Sequence, residues 1–111
     1  MDITTEYPDP HRVVLRLSGR LDLVSAAQLR KHVERAVDDG HVRVVTDLAG
    51  VAFIDSTGLG ALIAALKHAR QAGGELRMAA AGEQVTTVLK LTRLDRVLRA
   101  YATVDDALDG L

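Results

Sequence analysis

The chain is expected to fold as an α/β domain, with a mixed sheet of four or five strands and helices packed mainly on one face. Three observations lead to that expectation. Short β-branched or alternating apolar runs recur at residues 3–7, 13–17, 42–48 and 75–80. From the second run onward they are separated by stretches whose apolar residues are spaced i, i+3, i+4, i+7, the spacing of one helical face. Strands that alternate with helices imply a mostly parallel sheet. The length of 111 residues, with 48% hydrophobic content, suits one core, so residues 1–111 are read as a single domain.

Taken in order, Ile3, Thr5 and Tyr7 alternate with polar neighbours, as do Val13, Leu15 and Leu17 beyond Pro8-Asp9-Pro10-His11. Two period-2 segments around a proline-rich turn read as an antiparallel hairpin, with Gly19 ending its second strand. A helix is expected to begin near Ser25, with Gln28 at capping-box spacing. Ala26, Leu29, Val33, Ala36 and Val37 form its buried stripe and Gly40 its stop. Val42–Leu48 is β-branched and bounded by Gly40 and Gly50, the mark of a central strand. Glu75–Ala80 alternates as another strand, and Glu83–Leu91 is a third helix with Val85, Val88 and Leu89 inward. Arg96–Tyr101 is expected as a short edge strand, and Val104–Leu108 as a terminal helical turn or two.

The most informative stretch is Val51–Leu66, V-A-F-I-D-S-T-G-L-G-A-L-I-A-A-L. It enters as an apolar run, breaks at Asp55-Ser56-Thr57-Gly58 and continues as a helix with Leu59, Leu62, Ile63 and Leu66 on one face. Ser56 or Thr57 is placed to cap that helix by accepting a first-turn N–H. Gly58 and Gly60 are unexpected there, because each glycine in a helix gives up roughly 1 kcal/mol against alanine. Two bare positions in the first turns suggest that something approaches the backbone closely. In a parallel sheet, sites gather at the carboxyl ends of strands. The segments Gly19–Asp22 and Gly50–Gly58 are expected to meet there.

Composition narrows the function classes. A net charge of −1 disfavours nucleic acid as a partner, since phosphate-backbone binding needs a basic face. The absence of cysteine removes disulfides, thiolate metal sites and a cysteine nucleophile. Met1 is followed by polar Asp2-Ile3-Thr4-Thr5-Glu6, not by a basic and then apolar segment, and no run approaches a membrane span of ~20 apolar residues. A cytoplasmic protein without membrane contact is expected. His11, His32, His41 and His68 lie on a turn, mid-helix, at a strand start and at a helix end, without metal-ligand spacing and with no route to Ser56. They read as surface residues, and no metal or cofactor is expected.

Serine hydrolysis lacks its usual context, because I-D-S-T-G has no glycine two residues before the serine. Gly58-Leu59-Gly60-Ala61-Leu62-Ile63 begins like a dinucleotide fingerprint but lacks the third glycine. Asp47, at a strand end, could accept a phosphoryl group only with an acidic magnesium pocket and a downstream lysine, which the chain does not assemble. Arg30-Lys31, Glu34-Arg35 and Asp38-Asp39 read as a solvated helix face. What remains is Ser56, a hydroxyl at a helix N-terminus beside one carboxylate, as a phosphoacceptor. A small-ligand or nucleotide-binding module is the alternative that these residues leave open.

Gly19-Arg20-Leu21-Asp22, Val44-Val45-Thr46-Asp47-Leu48, Phe53-Ile54-Asp55-Ser56-Thr57-Gly58-Leu59-Gly60 and Gly73-Gly74-Glu75-Leu76 together resemble the STAS domain of bacterial anti-sigma factor antagonists. The tail from Leu91 to Val97, with Tyr101 and Val104–Leu108, is similar to the family's ending. The resemblance implies a partner switch, not an enzyme. The unmodified protein would bind an anti-sigma factor that is also a serine kinase, and so free the sigma factor. That kinase would phosphorylate Ser56, with Thr57 as the second choice, and a metal-dependent serine phosphatase would reverse the step. Asp22, Asp55, Ser56, Thr57, Gly58 and Gly60 would form the partner surface. Arg20 fills a position often acidic in relatives. A stand-alone STAS subunit of a lipid-transport or signalling assembly is the other role the resemblance allows.

Overall fold

The computed structural model describes Met1–Leu111. Its five-stranded sheet has the order β1-β2-β3-β4-β5. Strand β1 (Asp2–Glu6) pairs antiparallel with β2 (Arg12–Leu21), and β3 (Arg43–Ile54), β4 (Glu75–Ala79) and β5 (Ala100–Tyr101) follow in parallel. Helices α1 (Leu23–Asp38), α2 (Ser56–Gln71) and α3 (Glu83–Leu91) make the crossovers, and a 3-10 turn at Leu94–Arg96 precedes β5. This is the mixed sheet that the alternating pattern calls for.

The apolar stripes dictate the layers. Leu29, Val33 and Val37 of α1, Leu59, Leu62 and Leu66 of α2, and Val85 and Leu89 of α3 pack with Val13, Leu15, Val44, Leu48 and Leu76 on one face of the sheet. Ile63 and Val88 are only partly buried at the margin of that core. The opposite face carries a smaller apolar cluster of Val14, Val45, Ala79 and Ala107, covered by the terminal helix α4 (Val104–Leu108). Arg12 and Arg77 donate to the carbonyls of Leu108, Ala107 and Asp109, which ties down the carboxyl end of α4. Asp47, a phosphoacceptor only if a magnesium pocket surrounded it, lies on this outer face in an ion pair with Arg16 at 2.6 Å.

Two strands run further than their glycines suggest. β2 continues past Gly19 to Leu21, and β3 past Gly50 to Ile54, with Arg20 opposite Phe53 and Leu21 opposite Ile54. The pairing shifts register between Arg16 and Ser18 and again between Gly19 and Arg20. Gly19 takes φ +117°, and a Cβ on Gly50 would lie 2.8 Å from the Leu17 carbonyl oxygen. Both glycines therefore serve a bulge inside a continuing ladder, not a strand end. The expected edge strand over residues 96–101 contracts to two residues. Leu98 turns into the core and is fully buried, so the segment pairs with β4 only over Met78–Ala79, where the Met78 and Ala80 N–H groups donate to the Arg99 and Tyr101 carbonyls.

Candidate functional site

Because β2 and β3 are parallel neighbours, their carboxyl ends deliver two helix starts side by side. β2 ends at Leu21 and Asp22 caps α1. The Asp22 Oδ1 accepts from the N–H groups of Val24 (3.1 Å) and Ser25 (3.3 Å), and the Ser25 hydroxyl accepts from Asp22 N–H at 2.8 Å. This reciprocal box lies one turn earlier than the Ser25/Gln28 pair expected from spacing: Ser25 is its third helical residue, buried, and Asp22 is the cap. The backbone N–H of Ser25, then the Ser25 hydroxyl, Val24 N–H and the charge of Arg20, hold the Asp22 carboxyl below the usual carboxylate range.

β3 ends at Ile54, and Asp55 caps α2. Its backbone is extended (φ −111°, ψ −174°) and its Oδ1 accepts from Gly58 N–H at 2.9 Å. The expectation that Ser56 or Thr57 caps this helix is corrected by that bond. Ser56 is already the first helical residue, and the carboxylate reaches the first-turn donor instead. The consequence bears on chemistry. Ser56 and Thr57 are exposed, and neither hydroxyl has a hydrogen-bond partner within the protein.

The two glycines have different reasons to be there. A Cβ on Gly58 would lie 2.1 Å from the Leu21 carbonyl oxygen and 2.8 Å from the Leu21 carbonyl carbon. Gly58 is buried because α2 rides over the end of β2, where Asp55 N–H also donates to the Leu21 carbonyl at 3.3 Å. Close approach is thus real at Gly58, but the neighbour is the protein's own backbone. Gly60 faces open space, and a Cβ added there would meet nothing within 4 Å. Of the pair, only Gly60 presents bare backbone to the outside.

Several neighbours belong to this face, and of these only Arg20 was singled out from the sequence. Leu23 and Val24, in the first turn of α1, are 73% and 79% exposed beside Asp22. The guanidinium of Arg20 lies 4.1 Å from the Phe53 ring centroid and its Nε 3.9 Å from the Asp22 carboxylate. The signal for Leu23 and Val24 was available, since both fall off the buried stripe of α1. Gln84 of α3 bonds both polar groups of the Ile54 residue, and no motif marks it. None of the cavities in the molecule is lined by Asp22, Asp55, Ser56 or Thr57. The site is an open face of two helix starts, two carboxylates, two free hydroxyls and an apolar pair.

Residues 3–107 match the STAS domain family. The chain is 33% identical over 110 residues to RsfB, an anti-sigma-F factor antagonist of Mycobacterium tuberculosis, covering 98% of this chain and 89% of that one. The crystal structure of an anti-sigma factor antagonist from Mycobacterium paratuberculosis superposes with a TM-score of 0.82 at 32% identity, over 97% of this chain and 92% of that one. The crystal structure of a candidate anti-sigma factor antagonist from Thermotoga maritima superposes with a TM-score of 0.88 at 29% identity, over 96% and 92%. With its sheet order, its paired helix starts and these relatives in agreement, the chain belongs to the STAS domain family, alongside the anti-sigma factor antagonists.

Proposed function

We infer that the protein is an anti-sigma factor antagonist working by partner switching. In its unmodified form the face around Asp22, Asp55, Ser56, Thr57 and Gly60 binds an anti-sigma factor serine kinase and so frees the sigma factor. The kinase transfers the γ-phosphoryl group of ATP to the Ser56 hydroxyl, the serine proton leaves, ADP is released and the complex separates. A metal-dependent serine phosphatase hydrolyses the phosphoserine and restores the binding form. The chain is substrate and docking module in this cycle, and the catalysts are its partners. The observation that carries the reading is the free Ser56 hydroxyl at the first position of α2, relieved of capping by Asp55. Exposed Leu23 and Val24, in the first turn of the adjacent helix α1, offer the apolar contact that a protein partner buries. An open face suits such a partner better than a small ligand, which needs a concave pocket.

The charge of a phosphate acts differently on fold and on complex. Phosphoserine adds about −1.5 to −2 charges at pH 7. At a helix N-terminus the dipole favours an anion by roughly 0.3–1 kcal/mol, and solvent screens the repulsion from Asp55. The fold should tolerate it. A docked partner excludes that solvent: at an effective ε of about 20, a like charge ~6 Å away costs on the order of 3 kcal/mol. At about 1.4 kcal/mol per tenfold, affinity should fall at least tens-fold.

The test incubates the protein with ATP and candidate anti-sigma factor kinases, maps phosphate by mass spectrometry, and compares melting temperature with kinase affinity. One phosphate on Ser56 is expected, with Ser56→Ala unmodified but still bound, and Ser56→Asp showing part of the affinity loss. Unchanged affinity with a large fall in melting temperature would make Ser56 a structural serine and sink the switch. Full-strength binding to no such kinase would favour service in another assembly.

A further inference from the structure

Gln84 stands outside the roles assigned so far. It is the second residue of α3, and its amide reaches the end of β3, accepting from Ile54 N–H at 2.9 Å and donating to the Ile54 carbonyl at 3.0 Å. The contact fills a gap in the sheet. β4 stops at Ala79, opposite Asp47, while β3 continues to Ile54. At Ile54, β3 has β2 on one side and no strand on the other. A carboxamide sets an N–H donor beside a carbonyl acceptor, the pair that a neighbouring strand residue would present. The opposite polarity of the two bonds also fixes which way the amide faces. Val85 and Leu89, both buried in the core, anchor α3, so the amide is held by a rigid element. Ile54 immediately precedes the cap Asp55. On its other flank the backbone leading to Ser56 is held by the longer Asp55 N–H to Leu21 carbonyl bond, at 3.3 Å.

We propose that Gln84 is a positioning residue for Ser56: its side-chain amide acts as a surrogate strand that locks the backbone of Ile54 and so sets where the Ser56 hydroxyl is presented to a phosphorylating partner. The functional half of this statement rests on Ser56 being the phosphoacceptor. The positional half does not, and the two are separable by experiment.

Two variants read the bonds directly. Gln84→Met keeps chain length without polar ends. Gln84→Glu is conditional: a protonated carboxyl has one O–H donor and one carbonyl acceptor, as the amide does, whereas the carboxylate has acceptors only and faces the Ile54 carbonyl. The full chain is followed by NMR from about pH 4 to pH 8, a range that brackets an ordinary glutamate pKa. In Gln84→Met, the protection factor of the Ile54 amide should fall about tenfold, with millisecond exchange broadening appearing at Asp55, Ser56 and Thr57 at every pH. Gln84→Glu should move toward wild type at the acid end, where most of the carboxyl is protonated, and match Gln84→Met at the alkaline end, a profile that a merely space-filling side chain cannot produce. In a second arm, an anti-sigma factor serine kinase that modifies the wild-type chain should show kcat reduced about tenfold on Gln84→Met at a pH of about 7.5, with KM unchanged, since the docking face is intact. Identical behaviour of Ser56 in all variants, a Gln84→Glu profile indifferent to pH, or protection lost uniformly across the chain would each overturn the positioning role. If no kinase modifies the wild-type chain, the phosphoacceptor reading fails, and the NMR arm still decides whether Gln84 positions the loop.

Discussion

Gly58 and Gly60 share a helix and a motif, yet adding one methyl group to each should move stability in opposite directions. By propensity alone each Gly→Ala change in a helix gains roughly 1 kcal/mol. At Gly60 nothing lies within 4 Å of the new Cβ, so that gain should be kept. For a domain of this size it corresponds to a rise in melting temperature of about 4 °C. At Gly58 the new carbon would sit 2.1 Å from the Leu21 carbonyl oxygen, well inside any permitted contact, and 2.9 Å from the Leu21 Cγ. The obstacle is backbone, already engaged by Asp55 N–H, and cannot rotate away. Relief requires α2 to lift from the end of β2, an overpacking strain of about 1–3 kcal/mol or more. At so short a separation the strain should lie at or above the upper end of that range, so that after the propensity gain of roughly 1 kcal/mol Gly58→Ala should be destabilising by about 2 kcal/mol or more. Urea and thermal denaturation of the two variants beside wild type read both effects. A Gly58→Ala variant as stable as wild type would refute the close packing of α2 on β2, and a clearly destabilised Gly60→Ala would show that Gly60 is not open.

Other perturbations test neighbouring parts of the same structure. Leu62→Ala, at a fully buried position facing the sheet, should cost about 2–5 kcal/mol in urea denaturation, and a loss under about half a kilocalorie would mean the wrong helix face. Asp55→Ala removes the cap of α2 and should cost about 1 kcal/mol, with exchange protection lost first at the Gly58 amide; unchanged protection there would sink the capping role. The carboxyls of Asp22, Glu6 and Asp9 are held below their usual range, chiefly by the Ser25 N–H, the Arg16 side chain and the Arg12 side chain respectively. The unfolded chain therefore binds more protons than the folded one in acid. The stability these groups contribute should be whole above the ordinary carboxylate pKa of about 4 and lost as pH falls through their lower folded-state values. Urea midpoints measured down the acid limb should show that loss, and Asp22→Asn should flatten part of it; a midpoint already falling near neutrality would assign the acid sensitivity to other groups.

Periodicity by itself determined most of this protein's architecture. The alternation of Val13, Leu15 and Leu17, the β-branched run of Val42–Leu48 and the stripes of α1 and α2 each report local burial, and burial of one face is a local property of a helix or strand. The strand-to-helix break after Ile54 was legible for the same reason, since a strand end and a helix start are written in consecutive residues. Relations across the sheet belong to the tertiary structure alone. Gly19 and Gly50 look like strand ends until β2 and β3 are paired, when they become a bulge in a longer ladder. Gly58 and Gly60 are indistinguishable in the chain, because what separates them is the Leu21 carbonyl, distant from Gly58 in sequence and at contact distance in space. Ser56 or Thr57, rather than Asp55, looked like the cap because propensity favours all three, and only the backbone angles show which residue precedes the helix. Gln84 was invisible altogether: its role exists because β4 ends before β3 does, a mismatch of strand lengths that no local pattern encodes.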